Sequence, residues 1–314
     1  MSNIIFCLMG PTASGKTQLA CELVNHFPIE IISVDSAMIY REMNIGTAKP
    51  DAEILAKAPH HLIDIIDPPD SYSAASFCND VDRISAHIIR QGKIPLLVGG
   101  TMMYFRALQQ GLSSLPPADE TVRAMLLQQA NEQGWDYLHQ ELARVDATTA
   151  ARLHPKDTQR IQRALEVFHL TSRPLSDFLK EEKQIPTYHF VNFSLIPEDR
   201  SWLHDRIAHR FEHMLQHGLI DEVEGLLQKW PLTLDNPSMR SVGYRQVLQY
   251  LQGEDDYTSL CSKGTAATRQ LAKRQLTWLR HWPDSYVFAA ENLAITGDIM
   301  AIMQQILDNP RKSS

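Results

Sequence analysis

Cysteine is scarce in this 314-residue chain: four residues, Cys7, Cys21, Cys78 and Cys261, with no C-x-x-C pair and no histidine at metal-ligand spacing. That excludes a disulfide framework and a zinc ribbon and leaves reduced thiols in a cytoplasmic protein as the expectation. Long hydrophobic runs are missing too. The segment Ile4–Met9 is too short to span a bilayer and is followed by no small-residue cleavage site, so neither a membrane span nor a targeting segment is expected. Basic charge is short overall, 30 Lys and Arg against 37 Asp and Glu for a formal charge of −7, so the total does not advertise a nucleic-acid partner. With 14 Gly, 17 Pro and 44% hydrophobic residues the chain is neither collagen-like nor disordered, and it is long enough for one large domain or two unequal ones. No internal repeat is present.

Short β-branched runs alternate with helical patterns through the first hundred residues: Ile4–Met9, a helix from about Lys16, Ile29–Val34, a helix over Ala74–Gln91, then Ile94–Val98. Continuous apolar strands separated by helices predict a parallel sheet covered on both faces. The pattern changes around Leu112–Pro117. From Asp119 to about Lys183 the apolar residues, among them Trp135, Leu138, Leu142, Ile161 and Leu165, recur at helical spacing only, which predicts an all-helical insertion. His189–Ile196 alternates like a strand returning to the sheet, and a long helix follows through His217. The expected organisation is a core over 1–118, an insertion over 119–185 and the remainder of the core over 186–314.

Gly10-Pro11-Thr12-Ala13-Ser14-Gly15-Lys16-Thr17 matches G-x-x-x-x-G-K-[ST] directly after an apolar strand and before a helix. Its glycines let successive N–H groups turn inward on a phosphate, Lys16 brings a point charge, and the Thr17 hydroxyl can ligate Mg²⁺. The loop predicts a P-loop NTPase-like α/β core that holds a di- or triphosphate. It does not say which reaction follows. Such folds carry a second apolar strand ending in an acid, and Ile31-Ile32-Ser33-Val34-Asp35 fits. Asp35, at the carboxyl edge of the sheet, could be a metal ligand, a general base or a residue capping the loop it opens. His60-His61 ahead of Asp64 and Asp67 has the wrong spacing for zinc and reads as a loop packed on the core.

The phosphate loop together with Ser33–Arg41, Ile45–Pro50, Leu97–Tyr104, Ser241–Gln246 and Thr268–Gln275, in that order, resembles the tRNA dimethylallyltransferases, also called tRNA isopentenyltransferases, across nearly the whole chain. Eukaryotic members add a carboxyl-terminal zinc finger, which the residues after Ile306 lack, so the bacterial type is the nearer match. The resemblance implies a P-loop core with a helical insertion domain gripping the anticodon arm of tRNA. It implies prenyl transfer from dimethylallyl diphosphate to N6 of the adenosine 3′-adjacent to the anticodon, with Mg²⁺ as cofactor and a monomeric enzyme. Within it, Lys16, the loop amides and Thr17 through Mg²⁺ would stabilise the leaving diphosphate, and Asp35 would take the N6 proton. Thr101 would align the reactants and Arg210 would clasp the diphosphate from the other side. The family's tRNA-contacting segments fall on Asp35, Ser36, Ala37 and Met38; on Gln159, Arg160, Ile161, Gln162 and Arg163; on Arg240, Ser241, Val242, Gly243, Tyr244 and Arg245; and on Lys273, Arg274, Gln275, Leu276, Thr277, Trp278, Leu279 and Arg280. Single contacts fall on Thr101 and Arg123.

Three alternatives stand beside this reading, one of them a non-enzymatic RNA-binding protein that uses the loop as a switch. A P-loop kinase would pass a γ-phosphoryl group from ATP to a small substrate, and an adenylate isopentenyltransferase would prenylate free AMP, ADP or ATP. The distribution of charge bears on the choice. Residues 1–120 hold 8 Lys and Arg against 13 Asp and Glu, whereas Lys263–Trp282 contains Lys263, Arg269, Lys273, Arg274 and Arg280 with no acid at all. An RNA partner would be met locally, by that stretch and by the basic residues of Arg152–Arg173.

Overall fold

A computed structural model describes residues 3–181 and 187–309; the expected helical limit at Lys183, the boundary between 185 and 186, and Pro310–Ser314 lie outside the described residues. The chain divides into two compact units, one made of Met1–Gln109 with Thr187–Ser314, the other of Gln110–Pro186.

The first unit begins β1 (Ile4–Met9), α1 (Lys16–Val24), β2 (Ile29–Val34), α2 (Ala52–Lys57), β3 (His60–His61), α3 (Ala74–Arg90), β4 (Ile94–Gly99) and α4 (Met102–Gln110). The second unit holds α5 (Glu120–Gln133), α6 (Trp135–Val145), α7 (Ala147–Ala150), α8 (Thr158–Thr171) and α9 (Leu175–Phe178). The chain then returns to the first unit as β5 (His189–Leu195), α10 (Arg200–Gln216), α11 (Leu219–Lys229), α12 (Tyr244–Leu251), α13 (Tyr257–Leu279), β6 (Ser285–Phe288) and α14 (Ile295–Asp308).

The six strands among the described residues are all parallel, in the order β3-β2-β4-β1-β5-β6. Alternation along β1 sorts its side chains to two cores. Ile5, Cys7 and Met9 face Phe77, Phe105, Leu203 and Leu276 from α3, α4, α10 and α13. Ile4, Phe6 and Leu8 face Leu19, Leu23, Ile299 and Met303 from α1 and α14, with Phe6 stacked on Phe193 of β5 at 5.8 Å. Burial on both sides explains why these strands read as unbroken apolar runs.

Register sets the place of the chemistry. Met9 and Val34 both pair with Gly99, so the chain leaves β1, β2 and β4 at the same carboxyl edge. The strand that follows β1 in sequence lies beyond β4, so the connections from β1 and β4 diverge and open a crevice between them. A Cβ on Gly99 would stand 2.0 Å from the Val34 carbonyl oxygen, which explains a glycine at the end of an otherwise aliphatic strand.

The helical unit closes on its own core of Leu126, Leu138, Leu142, Ile161 and Leu165. Its first element is preceded by an extended linker that is tied to α8. The Asp119 N–H donates to Glu166 Oε1 at 2.8 Å and Arg163 Nη2 donates to the Pro116 carbonyl at 2.6 Å, so the unit begins before Asp119, at Gln110.

His60-His61, expected as a loop, is instead the edge strand β3, pairing with Ile31 and Ile32. Its polar groups are matched: His61 Nε2 meets Glu30 Oε2 at 2.7 Å, and Asp64 and Asp67 bind Lys49 and Arg41. Among the described residues no group of three or more His, Cys, Asp or Glu is arranged to hold a metal, and the four cysteines are free thiols. No helix among them is long and apolar enough to cross a membrane. The edge strand β6 escaped the sequence reading because four residues with Tyr286 and Val287 exposed carry too little pattern.

Candidate active site

The loop after β1 turns through two left-handed residues, Ala13 at φ 63° and Gly15 at φ 90°, before α1 begins at Lys16. This backbone presents amides and a helix N-terminus to an anion. Lys16 folds back over the loop, its Nζ donating to the Pro11 carbonyl at 2.6 Å and to Ser14 Oγ at 3.4 Å. Thr17 is half-buried in the first turn of α1.

Two helices grip the loop at consecutive residues. From α10, Arg206 Nε donates to the Ala13 carbonyl at 2.8 Å while its guanidinium lies 4.9 Å from the Trp202 ring centroid. From α13, Gln275 Oε1 accepts from the Thr12 N–H at 2.9 Å, and Gln275 Nε2 donates to the Gly100 carbonyl at 2.9 Å. One turn beyond Arg206, Arg210 is half-buried in the same electrostatic environment as Lys16 and Asp35. Burial, reinforced by Arg210 and opposed by Asp35, brings the Lys16 ammonium down to about 7. Burial also lowers Arg210, with Asp35 opposing and Arg206 reinforcing. Three cations therefore share one carboxylate, an imbalance that suits a polyanion.

Asp35 opens the loop after β2. Its Oδ1 accepts from the N–H groups of Ala37 at 2.8 Å and Met38 at 3.2 Å, so the capping alternative is realised and the carboxylate is held in place by backbone. Both bonds use the same oxygen, which leaves Oδ2 to take a proton. Thr101 stands beside it: its Oγ1 accepts from the Ser36 N–H at 3.1 Å and its hydroxyl approaches Ser36 Oγ at 3.4 Å, while its own N–H donates to the Val34 carbonyl at 3.2 Å. Asp35, Thr101, Lys16 and Arg210, scattered between positions 16 and 210 of the sequence, thus converge at one end of the sheet.

The segments expected to meet RNA divide by exposure. On the first unit Ser36, Arg240, Arg245, Lys273, Arg274, Thr277, Trp278 and Arg280 are exposed, with Ala37, Met38, Ser241 and Val242 half-buried. On the helical unit Gln159, Arg160 and Arg123 are exposed, and Gln162 and Arg163 half-buried. Ile161, Gly243, Tyr244, Leu276 and Leu279, also expected at the RNA, are buried. Four of them are inward positions of helices whose outward positions remain available, and Gly243 immediately precedes α12.

Tyr244 shows what such a residue does instead. Its hydroxyl donates to Glu222 Oε1 at 2.5 Å, and its ring presses on Gly46, where a Cβ would stand 2.5 Å away. Glu222 also accepts from the N–H groups of Asn44, Ile45 and Gly46 at 2.9, 2.8 and 3.2 Å. The Ile45–Pro50 and Ser241–Gln246 blocks are thereby two halves of one brace. Gln275 is likewise turned to the phosphate loop. Arg206 was absent from the expected site, although its spacing of four from Arg210 placed both on one face of an amphipathic helix.

Among the described residues no acid cluster is arranged to cage a cation alone; the oxygen donors this end of the sheet offers are the Thr17 hydroxyl of the loop and the Asp35 carboxylate. That set fits a hard divalent ion shared with the oxygens of a bound diphosphate.

Residues 38–282 match the family model described as IPP transferase. The chain is 61% identical over 309 residues to a tRNA dimethylallyltransferase of Legionella pneumophila, covering 98% of this chain and 99% of that protein. It is 57% identical over 276 residues to one of Thiobacillus denitrificans, covering 88% of each. Among solved structures it is similar to the tRNA isopentenylpyrophosphate transferase of Bacillus halodurans, with TM-score 0.72, 34% identity, and 99% and 98% of the two chains covered. It is also similar to a eukaryotic dimethylallyltransferase described as acting on tRNA, with TM-score 0.84, 25% identity, and 98% and 80% covered. The chain matches these enzymes nearly end to end, and the protein belongs to the tRNA dimethylallyltransferase family.

Proposed function

We propose that the chain transfers a dimethylallyl group from dimethylallyl diphosphate to N6 of the adenosine 3′-adjacent to the anticodon in tRNA, releasing diphosphate. The observation that carries the reading is the convergence of Lys16, Arg210 and Asp35 at the phosphate loop, where the Asp35 carboxylate, held by the Ala37 and Met38 N–H groups, favours the charged forms of both basic side chains.

The allylic C1–O bond breaks with its electron pair leaving on the diphosphate oxygen. Lys16, Arg210 and the loop amides meet the charge that develops there, the form of stabilisation that counts most in a site with little water. The Thr17 hydroxyl would hold Mg²⁺, whose chemistry at this place is neutralisation of the diphosphate. N6 bonds to C1, and its proton passes to Asp35 Oδ2, because an aromatic amine is a weak nucleophile until that proton has an acceptor. Thr101, hydrogen-bonded to the Asp35–Ser36 turn, keeps the acceptor side in register.

The base must leave its stack to reach a carbon held on the loop, which costs least in a single-stranded anticodon loop. Arg269, Lys273, Arg274 and Arg280 are exposed on α13 or at its end and make no ion pair among the described residues, so they serve the RNA backbone on the first unit. On the helical unit the exposed Gln159 and Arg160 would serve it.

Bulk tRNA incubated with the protein, dimethylallyl diphosphate and Mg²⁺, digested to nucleosides and analysed by mass spectrometry, should yield N6-isopentenyladenosine. No prenylated adenosine would end the reading. Protection from thermal unfolding by ATP in preference to dimethylallyl diphosphate would favour the kinase instead.

A further inference from the structure

The hydrogen bonds of Gln275 span the two loops that leave the neighbouring strands β1 and β4 just beyond the paired Met9 and Gly99. Its carbonyl oxygen holds the Thr12 N–H of the phosphate loop, and its amide nitrogen holds the Gly100 carbonyl at the end of β4, one residue before Thr101. The fit is close: a Cβ on Gly100 would lie 2.4 Å from Gln275 Nε2 and 3.1 Å from the Gly10 carbonyl oxygen. Gln275 lies on the inward stripe of α13, three residues after buried Ala272 and one before buried Leu276, yet between the exposed Arg274 and Thr277. A polar side chain on an apolar stripe is costly unless both ends of its amide are matched, and here both are.

We propose that Gln275 is a positioning residue that sets the separation of the two reactants. The inference rests on the prenyl-transfer reading. Thr12 belongs to the element that holds the diphosphate and therefore the electrophilic carbon. Gly100 leads into Thr101, whose Oγ1 accepts from Ser36 in the turn that presents Asp35 and, with it, the nucleophile. One amide thus fixes the electrophile's cradle against the nucleophile's, and displacement at carbon tolerates little error in that distance: a misplacement of about 1 Å costs about 100-fold in rate. Because α13 also carries Lys273 and Arg274, the same bonds tie the phosphate loop to the helix assigned to RNA.

Gln275→Met keeps length and packing but removes both hydrogen bonds. It should lower kcat by about 100-fold. KM for dimethylallyl diphosphate and tRNA affinity, measured by fluorescence anisotropy, should stay within about threefold, since Lys16, Arg210 and the exposed cations are untouched. Gln275→Glu gives a signature that loss of fold cannot mimic. Its carboxylate accepts from Thr12 but repels the Gly100 carbonyl; once protonated it donates there. The ratio of its kcat to that of the native enzyme should rise as pH falls through the carboxyl range. Circular dichroism melting of both variants establishes that they fold. A folded Gln275→Met with kcat within twofold of native, or a Gln275→Glu ratio flat with pH, would overturn the inference. If the native enzyme makes no prenylated adenosine, the function reading fails instead, so the two failures are distinguishable.

Discussion

Asp35→Asn keeps the turn and removes the base, because an amide oxygen can still accept from Ala37 and Met38 while the group can no longer take a proton. The variant should melt as the native protein does, bind tRNA normally and lose at least about 100-fold in kcat, the contribution expected of a positioned base. Asp35→Ala, which loses the turn bonds as well, should also be about 1 kcal/mol less stable by urea titration. Turnover retained in Asp35→Asn would remove the base assignment. The proposed base role can coexist with the turn because both backbone bonds end on Oδ1. At this scale the phosphate loop was legible in the sequence because its residue types are dictated by close backbone approach to an anion. The loop contacts of Gln275 and Arg206 were not, since each acts on backbone atoms of the loop, Thr12 and Ala13, and a backbone partner leaves no trace in residue identity.

Among the elements, α8 offers a test of the helical unit by itself. Glu166 is buried there and accepts from Arg163, from the Asp119 N–H and from Arg123. Burial alone would raise its carboxyl; those three donors outweigh it and hold the group below its ordinary value. A carboxyl with a depressed folded-state pKa adds stability that is present above its unfolded value, about 4.5. That stability drains away as pH falls below it. Hydrogen exchange read on peptides from α5 and α8 should therefore lose protection as pH is lowered through the carboxyl range, and Glu166→Gln should flatten the dependence. Unchanged acid sensitivity in that variant would refute the link. The helical unit itself was legible from apolar spacing, because Leu126, Leu138, Leu142, Ile161 and Leu165 bury one stripe per helix. Its beginning at Gln110 was not, since the tie runs through Pro116 and Asp119 backbone atoms to side chains almost fifty residues away.

For the molecule as a whole, a net charge of −7 predicts nothing about RNA, whereas four exposed cations on and at the end of α13 do. If Arg269, Lys273, Arg274 and Arg280 each neutralise one phosphate, the slope of log K against log salt should be about −3 to −4, and each substitution by Gln should reduce its magnitude by about 1. Affinity indifferent to salt would exclude this surface. Arg123 and Arg163, engaged by Glu166, should contribute less to the slope than their charge implies.

The pairing of β1 with β5 has a consequence for how the chain acquires its structure. Ile4 lies beside His189 in the finished sheet, and the helical unit is encoded between them. During synthesis β1, β2 and β4 can pair once about a hundred residues have emerged, while one flank of β1 stays open until the inserted unit has been made. Contacts of such sequence separation close slowly, because the entropy of the intervening loop is lost before the pairing repays it. An insertion that folds by itself shortens that loop to the distance between its own ends, so early collapse of the helical unit would be what lets the second half of the sheet find its partner in time.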